Sequence, residues 1–409
     1  MAAQRRPAQQ RRRPMTRAEA QAQQERRQRQ KEKEQESREL ARGPIDLPFC
    51  LLVLLLTAIG LVMLLSASFP SAYYEDDNPT AYFVRQGVFA IMGVAAMFFI
   101  GKINYQRFRG LAKPLLYAAI VLLVLVAIPG IGLVRNNARR WLGVPGTALQ
   151  FQPSEIAKLA VILYFSNSIS KKKDKMHTTR YGIVPYLVIL GVLAVLMMLE
   201  PHLSGTILIL GAGAVLMLVG GINWAWVIGA VGAAAGGLYV ILFVIGYNTS
   251  RITYWLNPWE DARGAGYQLS QSLIAIGSGG LWGLGLGMGR QKFKFLPEEH
   301  NDFIFAIVCE ELGLIGATVI MLLFAALILR GYWIALHARD RFGSLLVVGV
   351  TTLIAMQTFL NIGVVTGLLP TTGISLPFFS YGGTALSIQL AEMGIVLSVS
   401  RQMKPTKAG

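Results

Sequence analysis

Ten apolar segments, each long enough or nearly long enough to cross a lipid bilayer, follow one another along this 409-residue chain. A transmembrane helix needs about 20 mostly apolar residues, because the hydrocarbon core is about 30 Å thick. Hydrophobic residues make up 54% of the chain and charged residues 15%, which is more apolar surface than a soluble fold of this size can cover. The sequence therefore predicts an all-α, polytopic membrane protein. The candidate spans are 47–69, 83–100, 114–130, 155–169, 185–200, 203–220, 224–246, 303–329, 345–366 and 377–399.

The distribution of Lys and Arg predicts how these spans are oriented. Of the 38 cationic residues, 13 lie in residues 1–44. Cytoplasmic loops carry an excess of Lys and Arg, and ten spans with both termini in the cytoplasm place 28 of the cations inside, nine outside and Lys158 within a span. The formal net charge of +16 is thus a sign of membrane topology rather than of a soluble nucleic-acid binder.

The chain divides into three parts. Residues 1–44 are polar and basic with few aromatic or β-branched side chains, so we expect a disordered cytoplasmic tail, with a partner-docking segment as the alternative. Residues 45–400 form the ten-helix domain, whose long extracellular loop, 247–302, joins the seventh and eighth spans. Residues 401–409 form a cytoplasmic C-terminal tail. Cys50 and Cys309 lie in apolar stretches and are predicted to be buried thiols.

Eight of the nine external cations crowd into two loops, 131–153 and 247–302. Because such a cluster opposes the positive-inside bias, it indicates an anionic ligand. The alternative is that these residues contact lipid head groups of the outer leaflet or pair with carboxylates such as Glu260 and Glu299.

The strongest local feature is LPEEHNDFIFAIVCEELGLIG, which leads into an apolar helix near Phe303. Four ionisable residues stand immediately before that helix: Glu298, Glu299, His300 and Asp302. A carboxylate at the bilayer rim is partly desolvated, and a raised pKa would suit a general base. An Asp before a helix is also a common N-cap, and the spacing alone favours capping over catalysis. Glu310 and Glu311 lie about two turns deeper, where carboxylates need partners.

A second feature is the stretch ARRWLGVPGTALQFQPSEIAKLA. Glu155 and Lys158 are three positions apart, so they share one helix face and are placed to pair inside the membrane. Such a pair either serves structure alone or lines a polar cavity. Trp141 beside Arg139 and Arg140 is either an interface anchor or a stacking surface next to phosphate-binding guanidinium groups.

Two further segments carry weaker signals. The stretch GLLPTTGISLPFFSYGGTA is a Gly- and Pro-rich loop before the last span, whose glycines permit a close backbone approach to a ligand, although a plain loop explains them equally well. Glu200 and His202, in LEPHLSGT, place two ionisable groups between the fifth and sixth spans. A lone His in such a place is more often structural than a metal ligand.

Together these segments resemble the SEDS family of membrane glycosyltransferases, which comprises FtsW, RodA and SpoVE. The resemblance covers residues 45–400 in order and rests on ARRWLG, QPSEIAKLA, LEPHLSGT, LPEEHNDFIFA, EELGLIG, GLLPTTG and LPFFSYGG. It implies a ten-span enzyme that polymerises lipid II at the outer face of the bacterial cytoplasmic membrane, with a class B penicillin-binding protein as the partner transpeptidase. The tail, the first span and the PTTG loop resemble the FtsW branch, and hence a role at the division septum, more than the RodA branch of elongation.

The resemblance also implies roles for individual residues. It assigns the catalytic carboxylate to Asp302 instead of a capping role, lines the central cavity with Glu155 and Lys158, and makes Arg140 and Trp141 important for activity. No organic cofactor is expected, because the diphosphate link of lipid II is already activated, and Mg²⁺ or Mn²⁺ is a candidate for charge stabilisation. The residues predicted to bind substrate are Arg139, Arg140, Trp141, Glu155, Lys158, Lys292, Lys294, Glu298 and His300.

Three positions depart from the family pattern. His202 stands where the family often has Asp, and Thr372 belongs to a PTTG sequence where many FtsW proteins have PTKG. Lys294 stands where some relatives have Glu. Because these departures rearrange the charged residues at the edge of the bilayer, we expect Lys292 and Lys294 to take over part of the anion binding.

Our hypothesis is that Asp302 accepts the proton of the acceptor's sugar 4-hydroxyl, which attacks the anomeric carbon of the donor with inversion, so that undecaprenyl diphosphate leaves. Two rival classes remain open at this point. Intramembrane groups such as Glu200 and Glu392 would also suit a lipid II flippase or transporter. The other hypothesis is a membrane scaffold for division proteins.

Overall fold

The computed structural model describes residues 43–135, 138–143, 150–223 and 249–403, with isolated positions between 24 and 31 and between 225 and 236. The described residues form a mostly helical bundle, and seven of its helices are long and apolar enough to cross a membrane. Most of the predicted disordered tail, most of the seventh candidate span at 224–246 and residues 404–409 lie outside the described part of the chain.

The described helices overlap the predicted spans, but several of their bounds differ. The first and eighth predicted spans continue to Asp76 and Leu336, the last begins at Gly383 instead of residue 377, and the predicted external loop contains two short helices, Thr249–Leu256 and Tyr267–Gly279. The helices are α1 (Leu47–Asp76), α2 (Ala81–Lys102), α3 (Phe108–Ala127), α4 (Pro153–Lys172), α5 (Val184–Leu199), α6 (Leu203–Val219), α7 (Thr249–Leu256), α8 (Tyr267–Gly279), α9 (Ile304–Leu336), α10 (Arg341–Val365) and α11 (Gly383–Ser400). Cys50 and Cys309 are free and buried, as predicted.

Two aspartates begin helices at one end of the bundle. Asp46 caps α1 and Asp340 caps α10, each by accepting a hydrogen bond of 3.0 Å from the backbone N–H three residues later. Each cap also binds a guanidinium group of another segment, Arg330 at 2.7 Å from Asp46 and Arg109 at 2.8 Å from Asp340. The helix starts at this end are therefore tied to neighbouring helices.

Segments predicted to be cytoplasmic meet at this same end. Arg401, just after α11, donates a hydrogen bond to the carbonyl oxygen of Gly43 at 2.7 Å, and Arg341 donates to the carbonyl oxygen of Gly220 at 2.7 Å. The chain segments before α1, after α6, between α9 and α10, and after α11 thus lie together, in agreement with the grouping of the cationic loops.

The opposite end carries three short strands that the all-α prediction did not include. They are β1 (Leu133–Arg135), β2 (Ala138–Gly143) and β3 (Gln150–Phe151), paired antiparallel in the order β1-β2-β3. The ARRWLG motif is β2, and β3 leads into α4. The pairing of β2 with β3 therefore holds this motif beside the first turn of α4.

α9 is interrupted at Gly313, whose φ of 66° and ψ of −171° are accessible mainly to glycine. The loop between α8 and α9 fills the interruption, since Leu284 N donates to Glu310 O and Gly285 N donates to Glu311 O, both at 3.0 Å. The two Glu side chains bind the same loop through the backbone N–H groups of Gly287, Gly289, Arg290 and Gln291. The loop is thus fastened to the first half of α9.

Candidate active site

A cavity of about 520 Å³ lies at the end of the bundle that carries the strands. Its walls come from the first turns of α2, α4, α6 and α11, from β2 and β3, from the middle of α10, and from the segments before α9 and after α10. Among the described residues, six charged side chains line it: Arg85, Arg140, Glu155, Lys158, Glu298 and Asp302. Elements from the whole chain therefore converge on one polar space.

Asp302 is held at this cavity through its main chain. Asn361 of α10, which is 1% exposed, donates its side-chain N–H to the carbonyl oxygens of Asp302 at 2.7 Å and of Ile374 at 2.6 Å. Gly373 lies beside the carboxylate, because a Cβ atom there would stand 3.1 Å from Oδ2 of Asp302, and its φ of 68° itself favours glycine. Phe303 occupies the N-cap position of α9 and no side chain caps that helix, so the capping alternative for Asp302 is wrong.

The loop after α10 also binds the two residues before Asp302. Ser380 Oγ donates to the carbonyl oxygen of Asn301 at 2.7 Å, and Tyr381 N donates to that of His300 at 2.9 Å. The His300 ring lies against Tyr82 of α2, with the ring centroids 4.9 Å apart. The HND segment is therefore positioned by α2, α10 and the loop 366–382 together.

The surroundings of Asp302 adjust its acidity. Burial raises the pKa of Asp302 to about 6, and the negative charge of Glu298 raises it further, whereas Arg140 and His300 oppose the change. A carboxyl group with this pKa is ionised at neutral pH and is still basic enough to take a proton from a bound hydroxyl group.

Glu155 and Lys158 pair as their spacing predicted. Lys158 Nζ lies 2.7 Å from Glu155 Oε2, and the Lys158 side chain is 3% exposed. Both residues line the cavity from the first two turns of α4. Of the two alternatives that the sequence left open, the structure therefore supports the pair that lines a polar cavity, and its two charges compensate each other.

Arg140 is anchored on the segment between α5 and α6. It donates to the carbonyl oxygen of Glu200 at 3.4 Å and to that of Pro201. The Glu200 side chain is fully buried, and burial raises its pKa to about 8 against the opposing effect of Arg140. Burial likewise lowers the pKa of His202 to about 3, with the charge of Arg140 adding to the effect, so this ring is neutral and lies 3.4 Å from Gln152. Both groups beside Arg140 are thus uncharged at neutral pH.

The structure brings together most of the predicted site but not all of it. Asp302, Arg140, Trp141, Glu155, Lys158 and Glu298 line the cavity. Four residues predicted to bind substrate do not line it: Arg139, His300, Lys292 and Lys294. Lys294 is exposed, and its Nζ lies 4.8 Å from the ring centroid of Tyr74.

Lys292 is occupied by an internal ion pair. Its Nζ lies 2.8 Å from Glu311 Oε1 and donates to Gly287 O at 2.7 Å and to Ser66 Oγ at 3.0 Å. The side chains of Lys292 and Glu311 are 3% and 0% exposed. The prediction that Lys292 binds an anionic ligand is therefore replaced by a structural role, because its ammonium group already has three partners inside the protein.

Arg85 is a cavity residue that the sequence analysis missed. It was the one external cation outside the two crowded loops, and it lies in the first turns of α2. α2 runs alongside α11, where Ser387 Oγ donates to Phe89 O at 2.9 Å, and so Arg85 shares the cavity wall with the start of α11. The one sequence feature that could have indicated its role is a single Arg near the start of an otherwise apolar helix. Gln152 and Gln357 also line the cavity without having been predicted.

Within the described residues, no group of three or more His, Cys, Asp or Glu side chains is placed to hold a metal ion. The guanidinium groups of Arg85 and Arg140 are the cationic groups that the cavity itself offers beside the compensated Lys158.

Comparisons with known proteins agree with this architecture. A family model described as "Cell cycle protein", for FtsW, RodA and SpoVE, matches residues 47–405. The chain is 45% identical over 362 residues to a probable peptidoglycan glycosyltransferase FtsW of Geobacter metallireducens, covering 88% of this chain and 96% of that protein. It is 46% identical over 358 residues to stage V sporulation protein E of Bacillus subtilis, covering 87% and 97%.

Two solved structures share the fold. Rod shape determining protein RodA of Thermus thermophilus matches with a TM-score of 0.66 and 27% identity, covering 89% of this chain and 99% of that one. A chain from a structure described as "Structural coordination of polymerization and crosslinking by a peptidoglycan synthase complex" matches with a TM-score of 0.73 and 28% identity, covering 88% and 98%.

Proposed function

The chain belongs to the FtsW/RodA/SpoVE family, and on this premise we propose that it is a peptidoglycan glycosyltransferase. It joins lipid II units into β-1,4 glycan strands and releases undecaprenyl diphosphate. The observation that carries the proposal is the carboxyl group of Asp302, buried at a polar cavity that Arg85 and Arg140 also line.

In the reaction, the Asp302 carboxylate accepts the proton of the 4-hydroxyl group on the acceptor sugar. The hydroxyl oxygen forms a bond to the anomeric carbon of the donor, and the bond from that carbon to the diphosphate breaks with inversion. Arg85 and Arg140 stabilise the charge on the departing diphosphate, for which guanidinium groups are well suited. No redox partner or nucleotide takes part.

We place the cavity at the outer face of the bacterial cytoplasmic membrane, with ten spans and both termini in the cytoplasm. The meeting of the cationic segments at the other end of the bundle supports this orientation. The FtsW relative is 45% identical to the chain, whereas the RodA structure is 27% identical, which favours a role at the division septum over one in elongation.

The chain acts together with a cross-linking partner, which we take to be a class B penicillin-binding protein transpeptidase. Support comes from the structural match to a chain of a peptidoglycan synthase complex that couples polymerization and crosslinking. Contacts with other division proteins would follow only from the proposed role at the septum.

The test of the function is a polymerisation assay on the purified chain in lipid nanodiscs, with fluorescent lipid II and with or without the partner transpeptidase. Glycan polymer is the expected product, and its absence in both conditions would sink the proposal. Movement of lipid II across vesicle membranes without polymer would favour the flippase. That alternative is weakened because, of the intramembrane ionisable residues that suggested it, only Glu155 and Lys158 line the cavity.

The pH dependence of polymerisation should report the ionisation of Asp302. Since the base must be deprotonated and its pKa is about 6, kcat/KM should rise about tenfold per pH unit below pH 6 and level off above it. In Glu298→Gln the rise should move to lower pH, because the charge of Glu298 raises the pKa of Asp302. An inflection near the ordinary Asp value of about 4, or one that Glu298→Gln leaves in place, would contradict the assignment.

A further inference from the structure

Gln357 of α10 is a buried cavity residue to which the proposed reaction gives no role. It is 2% exposed, it lines the cavity, and its amide oxygen has no hydrogen-bond partner among the described residues. Buried polar atoms in proteins are nearly always paired, since an unpaired one is destabilising. A cavity wall that keeps such an atom is suited to a ligand that supplies the missing donor.

The position of Gln357 within the cavity follows from the helix that carries it. Asn361, one turn later on the same face of α10, holds the main chain of Asp302 at 2.7 Å. Because a helix rises about 1.5 Å per residue, Gln357 lies about 6 Å deeper than Asn361. Lys158 and Leu208 line the cavity from the second turns of α4 and α6. Gln357, Lys158 and Leu208 form the part of the cavity farthest from Asp302, which we call its floor; the opposite edge, with Asp302, is its rim.

The charged groups of the cavity are unevenly placed. Arg85, Arg140, Glu298 and Asp302 lie at its rim, whereas Lys158 on the floor is paired with Glu155 at 2.7 Å. The other polar side chain on the floor, that of Gln357, is uncharged. The guanidinium groups at the rim suit the diphosphate, and the floor suits an uncharged ligand rich in hydroxyl and amide groups.

We propose that the floor is a sugar subsite in which Oε1 of Gln357 accepts a hydrogen bond from the acetamido N–H of an N-acetylhexosamine unit. Gln357 is then a specificity-determining residue that selects amino sugars over plain hexoses. The inference rests on the proposed function, because it places the sugar of lipid II beneath the Asp302 carboxylate.

The test combines Gln357→Leu with lipid II analogues that each have the acetamido group of one sugar replaced by a hydroxyl group. The variant removes the amide without a large change of volume. The value of kcat/KM for lipid II should therefore fall about 10- to 100-fold, while the melting temperature is unchanged or higher. The analogue that lacks the bound acetamido group should slow the wild-type protein to a similar degree but cause no further loss in Gln357→Leu, since both changes delete the same hydrogen bond.

Thr358→Val is the matched control. Thr358 is the next residue on α10, is 6% exposed and has an equally unpartnered hydroxyl group, but it does not line the cavity. The control should keep the kinetics of the wild-type protein. If Gln357→Leu also keeps them, Gln357 is only a buried structural amide and the subsite is refuted.

Other outcomes would lead to different conclusions. If the losses from the variant and from the analogue multiply, Gln357 does not contact the acetamido group and the assignment is wrong. If Gln357→Leu does not fold, Gln357→Met provides the same measurement with an unbranched side chain. A wild-type protein that makes no polymer from lipid II contradicts the proposed function itself, whereas a normal wild-type rate with an unaffected variant contradicts only the subsite.

Discussion

Asp302→Asn should leave the protein folded and lower kcat for lipid II polymerisation about 10²- to 10⁴-fold, the range expected for loss of a general base. The amide keeps the size of the side chain and does not accept the proton at neutral pH. The main chain at this position is held by Asn361, which the substitution does not touch. The measurement is the rate of glycan formation from fluorescent lipid II at fixed detergent and lipid composition, together with the melting temperature.

Glu260→Gln is the control for the loss of an external carboxylate. Glu260 is exposed in the loop between α7 and α8 and does not line the cavity, so its neutral variant should polymerise at the normal rate. Normal polymerisation by Asp302→Asn, with a melting temperature like that of the wild-type protein, would show that another group accepts the proton.

Lys292→Met should destabilise the protein by about 3–5 kcal/mol, the usual cost of removing one partner from a buried ion pair. Glu311 is fully buried, and without the ammonium group its charge keeps only Ser66 and backbone N–H groups as partners. Since this pair lies where the loop between α8 and α9 fills the interruption of α9, the loss should appear as a lower melting temperature and as faster proteolysis of that loop.

The neighbouring Lys294 provides the control. Lys294→Met removes an exposed ammonium group that lies over the ring of Tyr74, and its effect should stay within about 0.5 kcal/mol, as for most surface substitutions. The double variant Lys292→Met/Glu311→Gln should recover part of the lost stability, because the uncompensated charge is removed as well. Equal melting temperatures for the Lys292 and Lys294 variants would contradict the assignment of a structural ion pair.

Local patterns predicted the parts of the site that depend on neighbours in sequence. The Glu155–Lys158 pair follows from a spacing of three residues on a helix, and the apolar runs located most helices. Residue patterns alone favoured a capping role for Asp302, and the family resemblance supplied its catalytic role instead. The structure agrees that it is not a cap, since the helix that follows begins at Phe303 without one.

The remaining features depend on contacts between distant segments. The sequence indicated that Lys292 is an external cation, because its pairing with Glu311 is not evident from the sequence. The two residues meet only where the loop packs against the interruption of α9 at Gly313. Arg85 lies in the cavity because α2 runs along α11, which no periodicity in either helix reveals. The three strands were missed because each is short, and β3 has only two residues.

The hydrogen bonds that hold the main chain of residues 300–302 have a consequence for the biosynthesis of the protein. Asn361 holds Asp302 from a position 59 residues later, and Ser380 holds Asn301 from 79 residues later. A ribosome adds about 5 to 20 residues per second, so Asp302 is synthesised several seconds before the residues that position it. We therefore expect a nascent chain truncated before Ser380 to lack the arrangement around Asp302 that the proposed reaction requires, even if its earlier spans are inserted.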